Sequence, residues 1–386
     1  MARLPGTVWR LGWISFFADV SSEMAYPVLP LFMKAIGAPA AALGVVEGFA
    51  DATANVLKGY AGVKSDASPD RVGFVRWGYG LSAIGKPLIA LATAWPTVLG
   101  ARMLDRTGKG LRTAARDSLL AESAPKERLG AAFGLHRSMD TAGAFVGVLF
   151  ALVLLHYLPG AYRSIFLIAL LPGLISVGLT MFVRDPRGAP AAQKAIGAIR
   201  ALPRSLWPVI LLQGLFALAN TSDMFLLRFA ADRGLSDTQV TLAYLLMNLS
   251  YAVLSYPAGH VSDRLGRWPI IGLGWLIYAG VYAALPGASV AMIWPLFFVY
   301  GLYVALTQGV AKALISERAG PDQKGAALGV WSMAVGLFSL VGNILFGLLW
   351  DVKGANAALY AAAGVALVSA LLIPLVRRPI APTTTN

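Results

Sequence analysis

The chain alternates between long apolar stretches and short polar ones. Twelve apolar stretches stand out, at 9–36, 40–62, 74–94, 96–121, 130–156, 161–183, 206–229, 238–261, 269–286, 289–315, 325–350 and 355–376. Each is close to the ~20 residues a helix needs to cross a bilayer. None shows the ten-residue in–out alternation of a membrane strand. A helix satisfies its own backbone in hydrocarbon, so the pattern predicts an all-α integral membrane protein with twelve transmembrane helices. Pro27 and Pro30 predict a bend in the first of them. That first stretch follows Arg3 and Arg10 without a small-residue cleavage site, so it reads as an uncleaved span and not a signal peptide.

Composition narrows the class. Of 386 residues 57% are hydrophobic and 13% charged, against a charged share of about 25% in soluble domains. That excludes a soluble enzyme, a disordered chain and a coiled coil. The net charge of +13 would suggest nucleic acid in a soluble protein; here it reads as Lys and Arg on cytoplasmic loops, so no nucleic acid is expected. These basic residues crowd into 64–76, 126–128, 184–204, 264–267, 318–324 and 377–378, all on one side of the span map. That side is expected to be cytoplasmic, with both termini inside, in a plasma or bacterial inner membrane. The chain has no cysteine and three histidines, so no metal site and no cofactor are expected.

The longest polar connection, 184–204, divides the chain into a six-span half at 1–183 and another at 205–386. The halves carry the same signals. Gly62-Val-Lys-Ser-Asp66 follows the second stretch, and Gly259-His-Val-Ser-Asp263 follows the eighth. Pro125-Lys-Glu-Arg-Leu-Gly130 follows the fourth, and Pro321-Asp-Gln-Lys-Gly325 follows the tenth. Two coincidences in one order argue for duplicated six-helix halves, with a solute path between them at mid-membrane.

The stretch Gly259-His-Val-Ser-Asp263-Arg264-Leu-Gly266-Arg267 resembles the G-x-x-x-D-R-x-G-R loop signature of the major facilitator superfamily. The first-half copy keeps Gly62 and Asp66 and departs after them. Arg102-Met-Leu-Asp105-Arg106-Thr-Gly108 resembles the fourth-span signature of proton-coupled members, with Asp105 and Arg106 in place of Gln and Gly. Gly143-Ala-Phe-Val-Gly147 keeps the glycine spacing of the antiporter signature without its proline. The resemblance implies two pseudo-symmetric six-helix halves rocking about a central cavity. It makes Gly62, Asp66, Gly259, Asp263, Arg264, Gly266 and Arg267 candidates for a cytoplasmic gate. It also implies efflux of drug-like or metabolite solutes.

Ionisable residues inside spans are costly and point to function. Asp19 and Glu23 lie one turn apart in the first span, Glu47 and Asp51 in the second, and Arg102, Asp105 and Arg106 share the fourth. A carboxylate beside an arginine can switch between ion-paired and protonated forms, which makes these seven the candidates for proton coupling. The second half is nearly free of intramembrane charge. Its Asn220, Asp223, Tyr244, Asn248, Tyr303, Gln308 and Trp331 are candidates to line a substrate cavity. The expected function is proton-coupled efflux of a small amphipathic or anionic solute by a monomer in the lipid bilayer. The alternatives are an uptake symporter or a metal-ion exporter of the same fold. An integral-membrane enzyme such as a lipid transferase would need a convergent catalytic set, and H-E-x-x-H and G-x-S-x-G are both absent. No Walker spacing surrounds Lys109, so ATP coupling has no support.

The charge asymmetry carries a prediction of its own. Reporter fusions within 184–204 and after Arg377 are expected to report the cytoplasm; an external signal from either would invert the map.

Overall fold

A computed structural model describes residues 4–68, 70–125, 128–185, 202–319 and 323–377, without the side chains of 59 and 62–67. The described residues form helices and turns, with no strand. The first span is two helices, α1 (Gly6–Ala25) and α2 (Val28–Ala35). Spans two to six are α3 (Ala40–Ala67), α4 (Arg71–Leu91), α5 (Trp95–Ser123), α6 (Leu129–Tyr157) and α7 (Tyr162–Thr180). The seventh span is also two helices, α8 (Leu206–Ala219) and α9 (Asp223–Asp232). Spans eight to eleven are α10 (Asp237–Leu265), α11 (Arg267–Ala284), α12 (Val290–Arg318) and α13 (Lys324–Lys353). The last is α14 (Ala355–Leu371) with a final turn, α15 (Ile373–Val376). All twelve expected spans are present as helix.

Two features differ from the sequence reading. The signature stretches expected in loops are largely helical. Gly62 to Asp66 continue α3, and Gly259 to Asp263 continue α10. At 1.5 Å per residue a helix of this length exceeds a ~30 Å hydrocarbon core, so its charged end stands in water while remaining helical. The turn itself falls on Gly266, whose φ of +88° favours glycine. The second difference is the break in the seventh span at Asn220 to Ser222, which apolarity alone did not reveal.

Nine of the spans, among the described residues, are long and apolar enough to cross a bilayer. The first, third and fourth fall short. The first carries Arg10, Asp19 and Glu23, the third Arg71, Arg76 and Lys86, and the fourth Arg102, Asp105, Arg106, Lys109, Arg112 and Arg116. Their charges have to be buried against other helices.

Packing repeats between the halves. α1 packs on α6 and α7, as α8 packs on α13 and α14. α5 packs on α3 and α4, as α12 packs on α10 and α11. α4 meets α7 as α11 meets α14. Each of these first-half pairings thus has its counterpart in the second, the structural form of the duplication. The most extensive contacts across the halves are α3 with α13, α6 with α10, and α2 with α9.

Small residues allow the closest approaches. A Cβ on Gly143 or Gly147 of α6 would strike the backbone carbonyls of Phe16 and Val20 in α1. On Gly342 it would strike the carbonyl of Leu218. Across the halves, Gly44 and Gly48 of α3 lie against Asn343 and Leu340 of α13. Without a hydrophobic drive between helices in lipid, such backbone contact is a main source of association. The glycine spacing at 143–147 is therefore explained by packing.

Gly143→Leu is expected to lower the melting temperature in detergent by several degrees, with overpacking costing about 1–3 kcal/mol. Gly364→Leu, at a site with open space around it, should leave the melt unchanged or slightly raised. Equal melts for the two variants would remove the packing role.

Candidate functional site

The site starts from a chain of alternating charges in the first half. Arg102 is buried and its guanidinium donates to Glu47 Oε1, at 3.0 Å from Nε and 2.5 Å from Nη2. Its third nitrogen lies 3.5 Å from Asp105 Oδ2. Lys86 Nζ stands 3.2 Å from Asp105 Oδ1 and also donates to the Ser82 carbonyl at 2.8 Å. Ser82 Oγ in turn donates to the Asp105 carbonyl. Glu47, Arg102, Asp105 and Lys86 come from the second, fourth and third spans, and all four are buried. Two acids and two bases in alternation are neutral as a set. That is how buried charge survives without water, and the loss of any one member strands its neighbour.

Helical spacing produces the arrangement. Arg102 and Asp105 are three apart and share a face of α5, while Gly78, Gly85 and Gly108 let α4 and α5 approach until Lys86 reaches Asp105. Arg106 lies one turn beyond Arg102, half-buried, with its Nε unbonded. The carboxylate acting on it most strongly is Asp51. Nearer the charged end, Arg112 stacks on Tyr79 at 4.3 Å, and Arg116 bonds Asp117 and Ser15.

The second half contributes a broken helix wrapped in tyrosines. Tyr278 donates to the Ala219 carbonyl at the break, which also accepts from the Thr221 N–H at 2.9 Å. Tyr303 donates to Asn220 Oδ1 at 2.8 Å, and Tyr300 to Asp223 Oδ1 at 2.7 Å. Thr221 and the Tyr282 hydroxyl are 2.9 Å apart. Ser222 caps α9, and its backbone N–H donates to Asn343 Oδ1 at 2.8 Å. An interrupted helix is tolerated in a membrane only where other groups take over its backbone bonds, and these side chains do so.

The halves meet at these two features. Ser222 Oγ lies 3.4 Å from Glu47 Oε2, the oxygen that Arg102 leaves free. Tyr244 donates to Glu23 at 2.9 Å, and its ring stacks on Tyr26 at 5.4 Å. Tyr26 also approaches Ser222, at 3.5 Å.

The sequence candidates thus divide. Glu47, Arg102 and Asp105 form one network; Glu23 and Tyr244 form a cross-half pair; Asn220, Asp223 and Tyr303 belong to the tyrosine cluster. Asp19 and Asp51 are half-buried on the same inner faces. Asn248 bonds the carbonyl of Tyr244 within its own helix, and Gln308 accepts from Tyr251 at 3.1 Å. Trp331 is half-buried, with its indole N–H unbonded. At the charged end Asp263 pairs with Arg267, which also bonds Glu317 and Ser262, while Arg264 is exposed. All of these contacts lie within the second half. The side chains of Gly62 and Asp66 lie outside the described residues. Lys86, Ser222 and Asn343 were not among the sequence candidates. Lys86 was visible as a lone charge in a span, and Thr221-Ser222-Asp223 has the form of a helix start. Among the described residues, no three His, Cys, Asp or Glu converge to hold a metal ion.

The Major Facilitator Superfamily profile matches residues 11–227 and 210–386. The chain belongs to the major facilitator superfamily. It is a multi-pass membrane protein of a transporter superfamily. An uncharacterised MFS-type transporter of Methanocaldococcus jannaschii, MJ1317, is 34% identical over 381 residues, covering 96% of this chain and 95% of its own length. An uncharacterised protein of Mycobacterium tuberculosis, Rv2265, is 24% identical over 366 residues, covering 90% and 88%. Among solved structures, the nucleoside transporter NupG superposes with a TM-score of 0.80 at 14% identity, covering 97% of this chain and 100% of that one. A bacterial homologue of the human lysosomal transporter Spinster gives 0.80 at 15% identity, covering 97% and 96%. These likenesses show the twelve-helix fold with its two pseudo-symmetric halves.

Arg102→Ala is expected to destabilise the folded protein by about 3–5 kcal/mol, because Glu47 is left buried and unpaired. The double variant Glu47→Leu with Arg102→Leu should recover most of the loss in a detergent melt. A double variant no better than the single would mean that the pair is not coupled.

Proposed function

We propose that the protein is a secondary active transporter working by alternating access, exporting a small amphipathic or anionic solute in exchange for protons. The observation that carries this is Glu47, whose two oxygens serve different halves: Oε1 takes Arg102 and Oε2 faces Ser222. A proton on this carboxylate removes its charge. That weakens the hold on Arg102 and alters the bond to the broken seventh span, so protonation and the relative position of the halves become linked. Glu23, Asp51 and Asp19 extend the same inner surface and are the further coupling candidates.

The ends of the molecule support an opening motion. At the end opposite Asp263, Lys34 pairs with Asp232 at 2.7 Å. There Asp351 accepts from the N–H groups of Ala40 and Ala41, and Tyr162 donates to Asp237. Each of these contacts joins the halves and closes that end. In our reading the charged end is cytoplasmic and is the open one, the termini lie on the same side, and 1–183 and 205–386 rock as units about a central cavity. The protein acts as a monomer in the plasma membrane, and Asp263 with Arg264, Gly266 and Arg267 forms the cytoplasmic gate.

The test is transport in proteoliposomes with an imposed pH gradient, using solutes that stabilise the purified protein. Glu47→Gln is expected to abolish gradient-driven accumulation while solute exchange continues. Neutralising Asp19, Glu23 or Asp51 singly should move the pH dependence. An unchanged pH profile in all four variants would end the proton-coupled reading, and gradient-driven uptake into right-side-out vesicles would favour the symporter.

A further inference from the structure

A small cavity of about 10 Å³ lies inside the first-half bundle, between α1, α4, α5 and α7. Its polar wall is Ser21, Tyr79, Ser82, Lys86, Arg112 and Ser176, and all six residues are buried. Arg112 is 5% exposed, yet among the described residues it takes part in no hydrogen bond and no ion pair. Its guanidinium stands 4.3 Å over the Tyr79 ring and lines this cavity. A buried cation whose N–H groups find no acceptor is costly, so the cavity is the place to look for one.

The bonds already made decide what could sit there. Ser21 Oγ donates to the Ala169 carbonyl at 2.6 Å, Ser82 Oγ to the Asp105 carbonyl at 2.9 Å, and Ser176 Oγ to the Ile14 carbonyl at 2.8 Å. A hydroxyl has one proton, so each serine has only oxygen lone pairs left for the cavity. Lys86 directs its three protons to the Ser82 carbonyl, to Asp105 and to Ser22. The free donors are therefore the N–H groups of Arg112. An occupant has to accept from Arg112 and donate to serine oxygens. A halide only accepts and would face the serine lone pairs. A metal cation would face Arg112 and Lys86. Water does both, and a volume of about 10 Å³ is the room of one water molecule.

We propose that this cavity is an internal water site, in which one water accepts from Arg112 and donates to two of the three serine oxygens. Three bonds is the usual complement, about two to four, of a buried water. Tyr79 lines the same cavity, and its hydroxyl lies 3.4 Å from Ser15 Oγ, which accepts from Arg116 at 2.8 Å. The water thus joins Ser82 and the Lys86–Asp105 pair to Arg112 and Tyr79. With it, the polar network of the first half extends from Glu47 at the interface between halves towards Arg116 at the charged end. Arg102 and Lys86 are held by carboxylates; Arg112 is held by a ring face and a water. The site is independent of the solute, the direction and the coupling of transport.

The test is radiolytic hydroxyl-radical footprinting of the purified protein in nanodiscs, read by mass spectrometry. A radical formed from a bound water oxidises the side chain beside it even where bulk water does not reach. Tyr79 is 2% exposed, and Tyr278 and Tyr282 are 0% exposed, so burial alone gives slow oxidation of all three. Tyr79 is expected to be oxidised several-fold faster than Tyr278 and Tyr282. Equal rates would mean a dry cavity and overturn the proposal. Ala83 lines the cavity, so Ala83→Val should fill it and bring the Tyr79 rate down to that of the other two. Gly173→Ala adds less volume, with a Cβ 3.1 Å from Ser21 Oγ and 3.3 Å from Ala83 Cβ, and serves if the first variant does not fold. An undiminished Tyr79 rate in the folded variant would trace the oxidation to water elsewhere and overturn the site. Exchange of gluconate for chloride or bromide at constant ionic strength is expected to leave the melting temperature unchanged. A saturable rise with halide that Ala83→Val removes would assign the cavity to an anion and overturn the assignment to water.

Discussion

The pairing of Arg102 with Glu47 is the interaction on which the rest of the first half depends. An arginine in the fourth span cannot be left unpaired in hydrocarbon, and neither can a carboxylate in the second. Each makes the other tolerable, and the pair then draws Asp105 and Lys86 into the same neutral chain. This determines which faces of α3, α4 and α5 point inward. It also explains how spans too charged to cross a bilayer by composition can still do so. Their charges are removed from lipid by one another.

The same pair places a carboxylate where the halves touch. Glu47 uses one oxygen at home and offers the other across the interface to Ser222. Ser222 is available because the seventh span breaks at that depth, and the break persists because Tyr278, Tyr303 and Asn343 take up its backbone and side-chain bonds. The first span is likewise interrupted, after Ala25, and Tyr26 from that interruption stacks on Tyr244. Interrupted helices facing each other at the repeat interface are where membrane transporters place polar chemistry.

Close backbone contact supplies the frame. Gly44 and Gly48 bring α3 onto α13 along the end where Asp351 caps α3. Gly143 and Gly147 bring α6 onto α1. The contacts between halves are thus of two kinds: tight glycine packing with ion pairs at one end, and longer polar contacts such as Arg137 to Tyr251 at the other. An interface built this way can hinge about its tight end.

The sequence by itself determined the twelve spans, their helical nature, the duplicated halves and the concentration of charge in the first half. These are properties of apolar run length and residue identity, which need no knowledge of neighbours. It also picked out Glu47, Arg102 and Asp105, because a charge in a span is conspicuous wherever it sits. Tertiary structure alone decided which charge meets which. Lys86 and Asp105 are nineteen residues apart in the chain, and Glu47 and Ser222 are 175 apart; no local periodicity encodes such a meeting. The break at Asn220 to Ser222 was likewise hidden, since a polar run in a span reads equally as cavity lining or as a helix start. Only Tyr278 and Asn343, which bond the backbone at the break, made the second outcome stable.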